Sequence, residues 1–145
     1  MNDNIDTIVA PSQPHFTLSL LHAAQMVGDE LESALNDLGL SMAKQSALTK
    51  LAEAGEALTL SELAAKLSCV RSNITQLVDR LEADGFVRRV DDASDRRSVR
   101  AELTAVGAEK QRAGAQAMGA AQDKLSKRLS VSDRSALESA LTAFG

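Results

Sequence analysis

The apolar positions of the chain follow a helical period over most of its length. From 16 to 38 they recur every three or four residues, and Gly39 follows as a helix stop. Ser41 can cap a second helix, and Gly55 stands where a left-handed C-cap belongs. The inward stripe of this second helix is predicted to be Ala47, Leu48, Leu51 and Ala52.

A third, short helix is predicted over 61–67, because Thr59 and Glu62 have capping-box spacing. A one-rung strand over 57–59 precedes it. The fourth helix has one apolar face, and Gly85 ends it; that face comprises Val70, Ile74, Leu77, Val78 and Leu81. Its start is open between a cap at Ser68 and one at Ser72. Steps of 100° put polar side chains on the other side, namely Ser72, Gln76 and Asp79 with Asn73, Thr75 and Arg80 beside them.

After Gly85 the period changes to two, which predicts a β-hairpin with strands over 86–90 and 99–103 and a turn over 91–94. Thr104 can cap a long helix over 104–128 that is rich in Ala and Gly, so it can approach another helix closely, within the chain or across a dimer. Ser132 is predicted to cap a last helix over 133–144. This order of elements predicts a mainly α fold with a small β-hairpin wing, a winged helix-turn-helix.

The composition is globular, but its charge and aromatic content bear on function. The 145 residues are 44% hydrophobic and 25% charged, and Phe16, Phe86 and Phe144 are the only aromatic residues, which excludes base stacking on aromatic platforms. A net charge of −4 taken whole argues against nucleic acid. The segment over 66–100, however, contains eight basic and six acidic residues. We therefore expect modest, salt-sensitive contact with phosphates in this segment.

The single cysteine and the N-terminus indicate where the chain works. Cys69 alone cannot form an intrachain disulfide, so a reducing compartment is expected. Its thiol is either an oxidant sensor or, as we expect, buried and inert. Residues 1–14 contain both prolines and acidic residues without an apolar period, which predicts a flexible arm and no signal peptide. The apolar stretches are too short to span a membrane, so a soluble, cytoplasmic protein is expected.

The hairpin and the helix before it carry a family signature. Asp95, Arg97, Leu103 and Thr104 have the spacing D-x-R-x-x-x-x-x-L-T, and they follow the helix end L-V-D-R-L-E-x-x-G. By these motifs, residues 57–107 resemble the multiple antibiotic resistance regulator (MarR) family of bacterial transcription factors. The flanking helices agree with that family in number, length and order.

The resemblance implies a homodimer that binds a double-stranded DNA operator with the fourth helix in the major groove. It implies a winged domain over 41–104 and dimerisation helices over 15–40 and 105–145. Arg97 matches the minor-groove arginine and Asp95 the carboxylate that orients it, while Arg96 and Arg100 would meet phosphates. The expected DNA-binding set is Arg71, Ser72, Asn73, Thr75, Gln76, Arg80, Asp95, Arg96, Arg97 and Arg100.

The same resemblance implies repression that a small-molecule or oxidant effector relieves. An effector pocket is expected to include His22, Met26 and Met42. The expected dimer interface comprises Phe16, Leu20, Leu137, Leu141 and Phe144, since a lone terminal helix could not bury its apolar edge.

Two other function classes compete with a DNA-binding regulator. A winged-helix module that docks proteins and does not bind DNA is favoured by the acids around the hairpin turn, Asp91, Asp92 and Asp95. An enzyme has no catalytic constellation to support it. His15 and His22 lack the further ligands of a metal site, so we expect no metal and no cofactor.

Overall fold

The computed structural model describes residues 14–68 and 71–145, apart from the side chains of Pro14, Arg71 and Ser72. Of the predicted arm over 1–14, residues 1–13 lie outside the described residues and Pro14 begins the first helix. The prediction of a buried thiol at Cys69 also lies outside them. The elements, in chain order, are α1 (Pro14–Asn36), α2 (Met42–Ala54), β1 (Leu58–Thr59), α3 (Leu60–Leu67), α4 (Arg71–Ala83), β2 (Val87–Asp91), β3 (Val99–Leu103), α5 (Ala105–Ser126), α6 (Val131–Leu141) and a 3-10 turn (Thr142–Phe144). The mainly α fold with a small hairpin is confirmed.

Local capping chemistry sets most helix ends, as the sequence predicts. The Ser41 hydroxyl accepts a hydrogen bond from the Lys44 N–H at 3.2 Å, and Gly55 closes α2 at a φ of 66°. At α3 the capping box is complete, because Thr59 N–H donates to the Glu62 carboxylate and Glu62 N–H donates to the Thr59 hydroxyl. Helix α4 begins at Arg71, between the two alternatives.

The start of the last helix was predicted wrongly. Ser130, and not Ser132, is the N-cap of α6, and its hydroxyl oxygen accepts from the Asp133 N–H at 3.0 Å. The same hydroxyl lies 2.7 Å from the Asp133 carboxylate. Asp133 lies three positions after this cap, where its N–H bonds the Ser130 hydroxyl and its negative charge interacts favourably with the N-terminus of the helix. Ser130 is therefore the stronger cap.

The core lies where α2, α3, α4 and the hairpin meet. The largest wholly buried side chains come from each of these elements and from the end of α1, namely Leu35, Leu48, Leu51, Leu63, Ile74, Val78, Leu81 and Val87. Their burial fixes the rotation of α4, so Ile74, Val78 and Leu81 of its predicted apolar face point inward. Val70 of that face lies outside the described residues. In α2 one predicted core position is wrong, since Ala52 is exposed and Gln45 is buried in the same helix.

The hairpin is part of a three-stranded antiparallel sheet of order β1-β3-β2. Strand β2 pairs with β3 from Val87 opposite Leu103 to Asp91 opposite Val99. The short β1 adds Leu58 opposite Ala101 on the other edge of β3. The sheet therefore attaches the wing to the start of α3, and Ala101 at its centre is buried.

Two glycines let α5 approach the rest of the chain. A Cβ at Gly107 would lie 1.9 Å from the backbone oxygen of Phe86, and one at Gly114 would lie 2.0 Å from the Oε1 atom of Gln45. Gln45 is 3% exposed and its Nε2 donates to the Gln111 carbonyl at 2.9 Å, whereas its Oε1 has no hydrogen-bond partner among the described residues. Gly119 has nothing within 4 Å. The prediction of close approach is confirmed at the first two glycines.

Helices α1 and α5 run together and share an ion-pair cluster. Glu30 lies 3.1 Å from Lys124 and 3.3 Å from Arg128, and the Lys124 ammonium lowers the pKa of the Glu30 carboxyl. Within residues 14–68 and 71–145, no helix is both long and apolar enough to cross a bilayer.

Candidate nucleic-acid interface

The outward side of α4 presents polar side chains. Asn73, Gln76 and Arg80 are exposed there, while Ile74 and Val78 on the opposite side are wholly buried. Thr75 is also exposed and faces the wing. Amides in such positions can make two hydrogen bonds to an adenine edge, and a hydroxyl can bond to several bases.

Backbone hydrogen bonds give the tip of the wing a defined shape. The Asp92 carboxylate accepts from the Ser94 N–H at 3.0 Å and from the Ser94 hydroxyl at 2.8 Å, and these bonds lower the pKa of Asp92. The Asp95 carboxylate accepts from the backbone N–H of Arg97 at 2.9 Å. Asp95 therefore fixes the backbone that carries Arg97, whereas the sequence led us to expect that it orients the guanidinium.

Arg100 belongs to a network inside the protomer. Its guanidinium lies 3.2 Å from the Asp92 carboxylate and 3.5 Å from the Glu62 carboxylate, and it donates to the Ala57 carbonyl at 3.0 Å. The Thr59 N–H, with help from Arg100, lowers the pKa of Glu62. These contacts use the Nε and Nη1 donors of Arg100 to tie the wing to β1 and α3, so fewer of its N–H groups are left for the phosphate contact that the resemblance implies. One of the acids that opposed DNA binding, Asp92, is neutralised by this pair.

Arg89 forms the contact that sequence reasoning missed. Its Nη2 donates to the Asp79 carboxylate, its Nη1 donates to Glu82 Oε1 at 2.8 Å, and its backbone N–H donates to Glu82 Oε2 at 2.9 Å. The Asp79 hydrogen bond raises the pKa of Arg89. Asp79 of α4 is thus paired with an arginine of the wing. A possible signal was the spacing of Asp79 and Glu82, which puts both carboxylates on one side of α4.

Three exposed arginines of α4 and the wing have no carboxylate partner in the part of the chain that the structure describes. Among the described residues, no carboxylate pairs with Arg80, Arg96 or Arg97. Two clefts flank α4. One of about 430 Å³ is lined by Thr75, Asp95 and Arg97 with residues of β1 and α3, and the other, of about 450 Å³, is lined by Asn73, Gln76 and Arg80 with residues of α2. The wing and the outward side of α4 thus form one surface.

Arg71 and Ser72, also predicted to bind DNA, contribute backbone to the first turn of α4, but their side chains lie outside the described residues. The structure therefore describes the side chains of eight of the ten predicted residues. Of these eight, Arg100 bonds the Ala57 carbonyl and Asp95 bonds the wing backbone.

The three predicted effector-pocket residues do not line one cavity. His22 is exposed on α1, Met26 lines a groove of about 710 Å³ between α1 and α5, and Met42 lines the cleft beside Gln76. No group of three His, Cys, Asp or Glu side chains that could hold a metal occurs in the part of the chain that the structure describes.

The predicted dimer residues leave apolar surface uncovered in the protomer. Phe16 is 58% exposed and Phe144 is 69% exposed, with Leu137 and Leu141 close to half exposed and Leu20 partly buried. Other large apolar side chains on α1, α5 and α6 are exposed as well: Leu18, Leu21, Val27, Val106 and Val131. These exposed apolar side chains leave α1, α5 and α6 available for contact with a partner.

Comparison with known proteins agrees with this geometry. Residues 40–99 match the model of the MarR family. The HTH-type transcriptional regulator PrsX of Escherichia coli is 34% identical over 99 residues, a match that covers 67% of this chain and 60% of PrsX. The chain thus spans about 60% of the length of the first curated relatives that it matches.

Solved structures extend the similarity to nearly the whole chain. Sco3205, a MarR family transcriptional regulator from Streptomyces coelicolor solved in complex with DNA, is 32% identical with a TM-score of 0.77, over 89% of this chain and 86% of that one. A mutant of MarR from Escherichia coli complexed with operator DNA is 26% identical with a TM-score of 0.76, over 90% and 94% of the two chains. With the wing signature and the fold already described, these similarities establish that the chain belongs to the MarR family of transcriptional regulators.

Proposed function

We propose that the chain binds double-stranded operator DNA as a homodimer, with α4 in the major groove and the tip of the wing at the minor groove. The observation that carries this proposal is the surface on which Asn73 and Gln76 stand beside three unpaired arginines, Arg80, Arg96 and Arg97. Amides read base edges and the arginines supply the cationic contacts. Two similar proteins, Sco3205 in complex with DNA and a MarR mutant complexed with operator DNA, support DNA as the partner.

The homodimer is supported by the uncovered apolar side chains of α1 and α6, of which Phe16 and Phe144 are the most prominent aromatic members. In this proposal residues 41–104 form the DNA-binding unit, and residues 15–40 and 105–145 join the two protomers. Two recognition helices would then meet half-sites about one helical turn, roughly 34 Å, apart on a pseudo-palindrome. Sedimentation equilibrium is expected to give twice the protomer mass of 15.3 kDa.

Repression and release by a small molecule form the finer part of the proposal. The groove between α1 and α5 that Met26 lines has room for such a ligand, at about 710 Å³. A ligand there would change how α1 and α5 meet, and so the spacing of the two DNA-binding units. We propose a role in the cytoplasm, where the operator lies, and no catalytic role.

Selection of bound duplexes from a random pool tests the proposal, followed by a salt series on the selected site. Three unpaired arginines per protomer correspond to six phosphate or groove contacts in a dimer, so log K is expected to fall with log salt at a slope of about −5. No binding of any duplex at low salt would favour the protein-docking module instead.

A further inference from the structure

We propose that Arg89 is a positioning residue for DNA recognition and not a phosphate ligand. It holds the wing against the recognition helix and masks two carboxylates on the DNA-facing surface. This inference rests on the proposed function, and it concerns a residue outside the DNA-binding set that the family signature implies.

The geometry commits both terminal nitrogens of Arg89 to carboxylates of α4. One of them bonds Asp79 and the other bonds Glu82, and the side chain is 27% exposed. The backbone N–H of the same residue bonds the second Glu82 oxygen, so the middle of β2 is joined to the second half of α4 by three hydrogen bonds. Bonds from a planar guanidinium to two separate carboxylates restrict its orientation as well as its distance. Arg89 therefore fixes the angle at which α4 and the wing meet.

The charges explain why the contact matters for DNA in particular. Asp79 is 58% exposed and shares the outward side of α4 with Gln76. Together with Glu82 it would bring two negative charges towards the phosphates, and like charges at an interface reduce affinity strongly. One guanidinium between them leaves a single net negative charge. Removal of Arg89 would leave both carboxylates uncompensated.

Arg88 provides a matched control on the same strand. Consecutive residues of a strand point to opposite faces, and Arg88 pairs across the hairpin with Glu102 at 2.9 Å. It is 65% exposed and makes no described contact with α4. Arg88→Gln and Arg89→Gln each remove one positive charge, but the first breaks one ion pair and the second breaks two. Only the second substitution breaks the bonds between helix and wing.

The test is a double-mutant cycle on operator affinity, with the selected duplex as probe. Arg89→Gln is expected to weaken binding about tenfold, or about 1.4 kcal/mol, while Arg88→Gln stays within about twofold of wild type. Adding Asp79→Asn to Arg89→Gln is expected to recover at least half of the loss, because one unmasked carboxylate disappears. Circular dichroism and Tm measurements establish that each variant is folded.

Three results would overturn the proposal. Equal losses for Arg88→Gln and Arg89→Gln would do so, as would strictly multiplicative effects of Asp79→Asn and Arg89→Gln. The third is a salt slope reduced by about one for each Arg89→Gln protomer, which is the mark of a lost phosphate contact. If Arg89→Gln does not fold, Arg89→Lys replaces it. A lysine can still bind a phosphate, but it cannot hold both carboxylates in the fixed geometry of a guanidinium. A loss of operator affinity with an unchanged slope of log K against log salt would therefore support the proposal. Retained affinity would refute it.

A wild-type chain that binds no duplex would refute the proposed function separately. Amide hydrogen exchange then decides whether Arg89 holds the wing, since this measurement needs no DNA. Asp79→Asn is expected to speed exchange along β2 several-fold if the contact holds strand to helix. Unchanged exchange would show that Arg89 does not position the wing.

Discussion

Gly107 allows the sharpest test of how α5 joins the wing. Substitution by alanine would place a Cβ 1.9 Å from the Phe86 carbonyl oxygen and 2.8 Å from its carbonyl carbon. Both atoms are backbone, so no side chain can rotate away. The same oxygen accepts a hydrogen bond from the Thr104 N–H at 3.1 Å, and this bond holds the first turn of α5 to the hairpin. The substitution forces these segments apart.

The magnitude follows from two opposing terms. A methyl group in a filled space costs about 1–3 kcal/mol, and a backbone neighbour argues for the upper part of that range. Alanine regains at most about 1 kcal/mol of helix propensity. The net expectation for Gly107→Ala is a loss of about 2 kcal/mol in the free energy of unfolding, or about 4–8 °C in Tm for a domain of this size.

Gly119→Ala is the matched control within the same helix. Nothing lies within 4 Å of the added methyl, so the helix-propensity gain of about 1 kcal/mol stands alone and Tm should rise by about 2–4 °C. Thermal and urea unfolding of the two variants measure the difference. A Gly107→Ala protein as stable as wild type would refute the close approach of α5 to Phe86.

Three further results are expected. Arg97→Ala weakens operator binding by about 1–3 kcal/mol in a gel-shift titration, and unchanged affinity would contradict the assignment of the wing. Gln76→Ala relaxes base preference at one position of each half-site, measured by repeating the duplex selection; an unaltered preference would exclude it from base reading. Glu30→Gln lowers stability at pH 7 because its partner Lys124 lowers the pKa of Glu30 in the folded state. The stabilisation of the folded state by ionised Glu30 is present above the usual carboxyl pKa of 4.5, and it is lost as the pH falls through the lowered pKa of the folded state. The urea midpoints of Glu30→Gln and wild type are therefore expected to converge in acid. A gap that persists at the lowest pH would contradict this assignment.

Helix ends were predictable because their determinants are local. Ser41, Thr59 with Glu62, and Thr104 each bond an N–H three residues ahead, so the spacing can be found in the sequence. Ser130 and Ser132 are both candidates for the N-cap of the last helix. Spacing alone could have identified Ser130, because only this serine is followed three residues later by an acidic residue. The short pairing of β1 with β3 joins residues more than forty positions apart and has no local signal.

The candidate site was predictable in location but not in its ion pairs. Periodicity alone identified the outward side of α4, and the wing signature identified Arg97. Which arginines are free depends on contacts across the fold, such as that of Arg100 with Ala57 and Asp92. The composition alone does not distinguish arginines with an intramolecular partner from arginines without one. The structure separates those that stabilise the protomer from those that stay available to a partner.

The close packing of Gln45 against Gly114 bears on how α5 can move relative to the winged domain. A shift of α5 by one residue would bring Ala113 or Ala115 onto the buried amide, where no room for a methyl exists. We therefore expect the junction of α2 and α5 to resist sliding, so that α2 and this part of α5 move together.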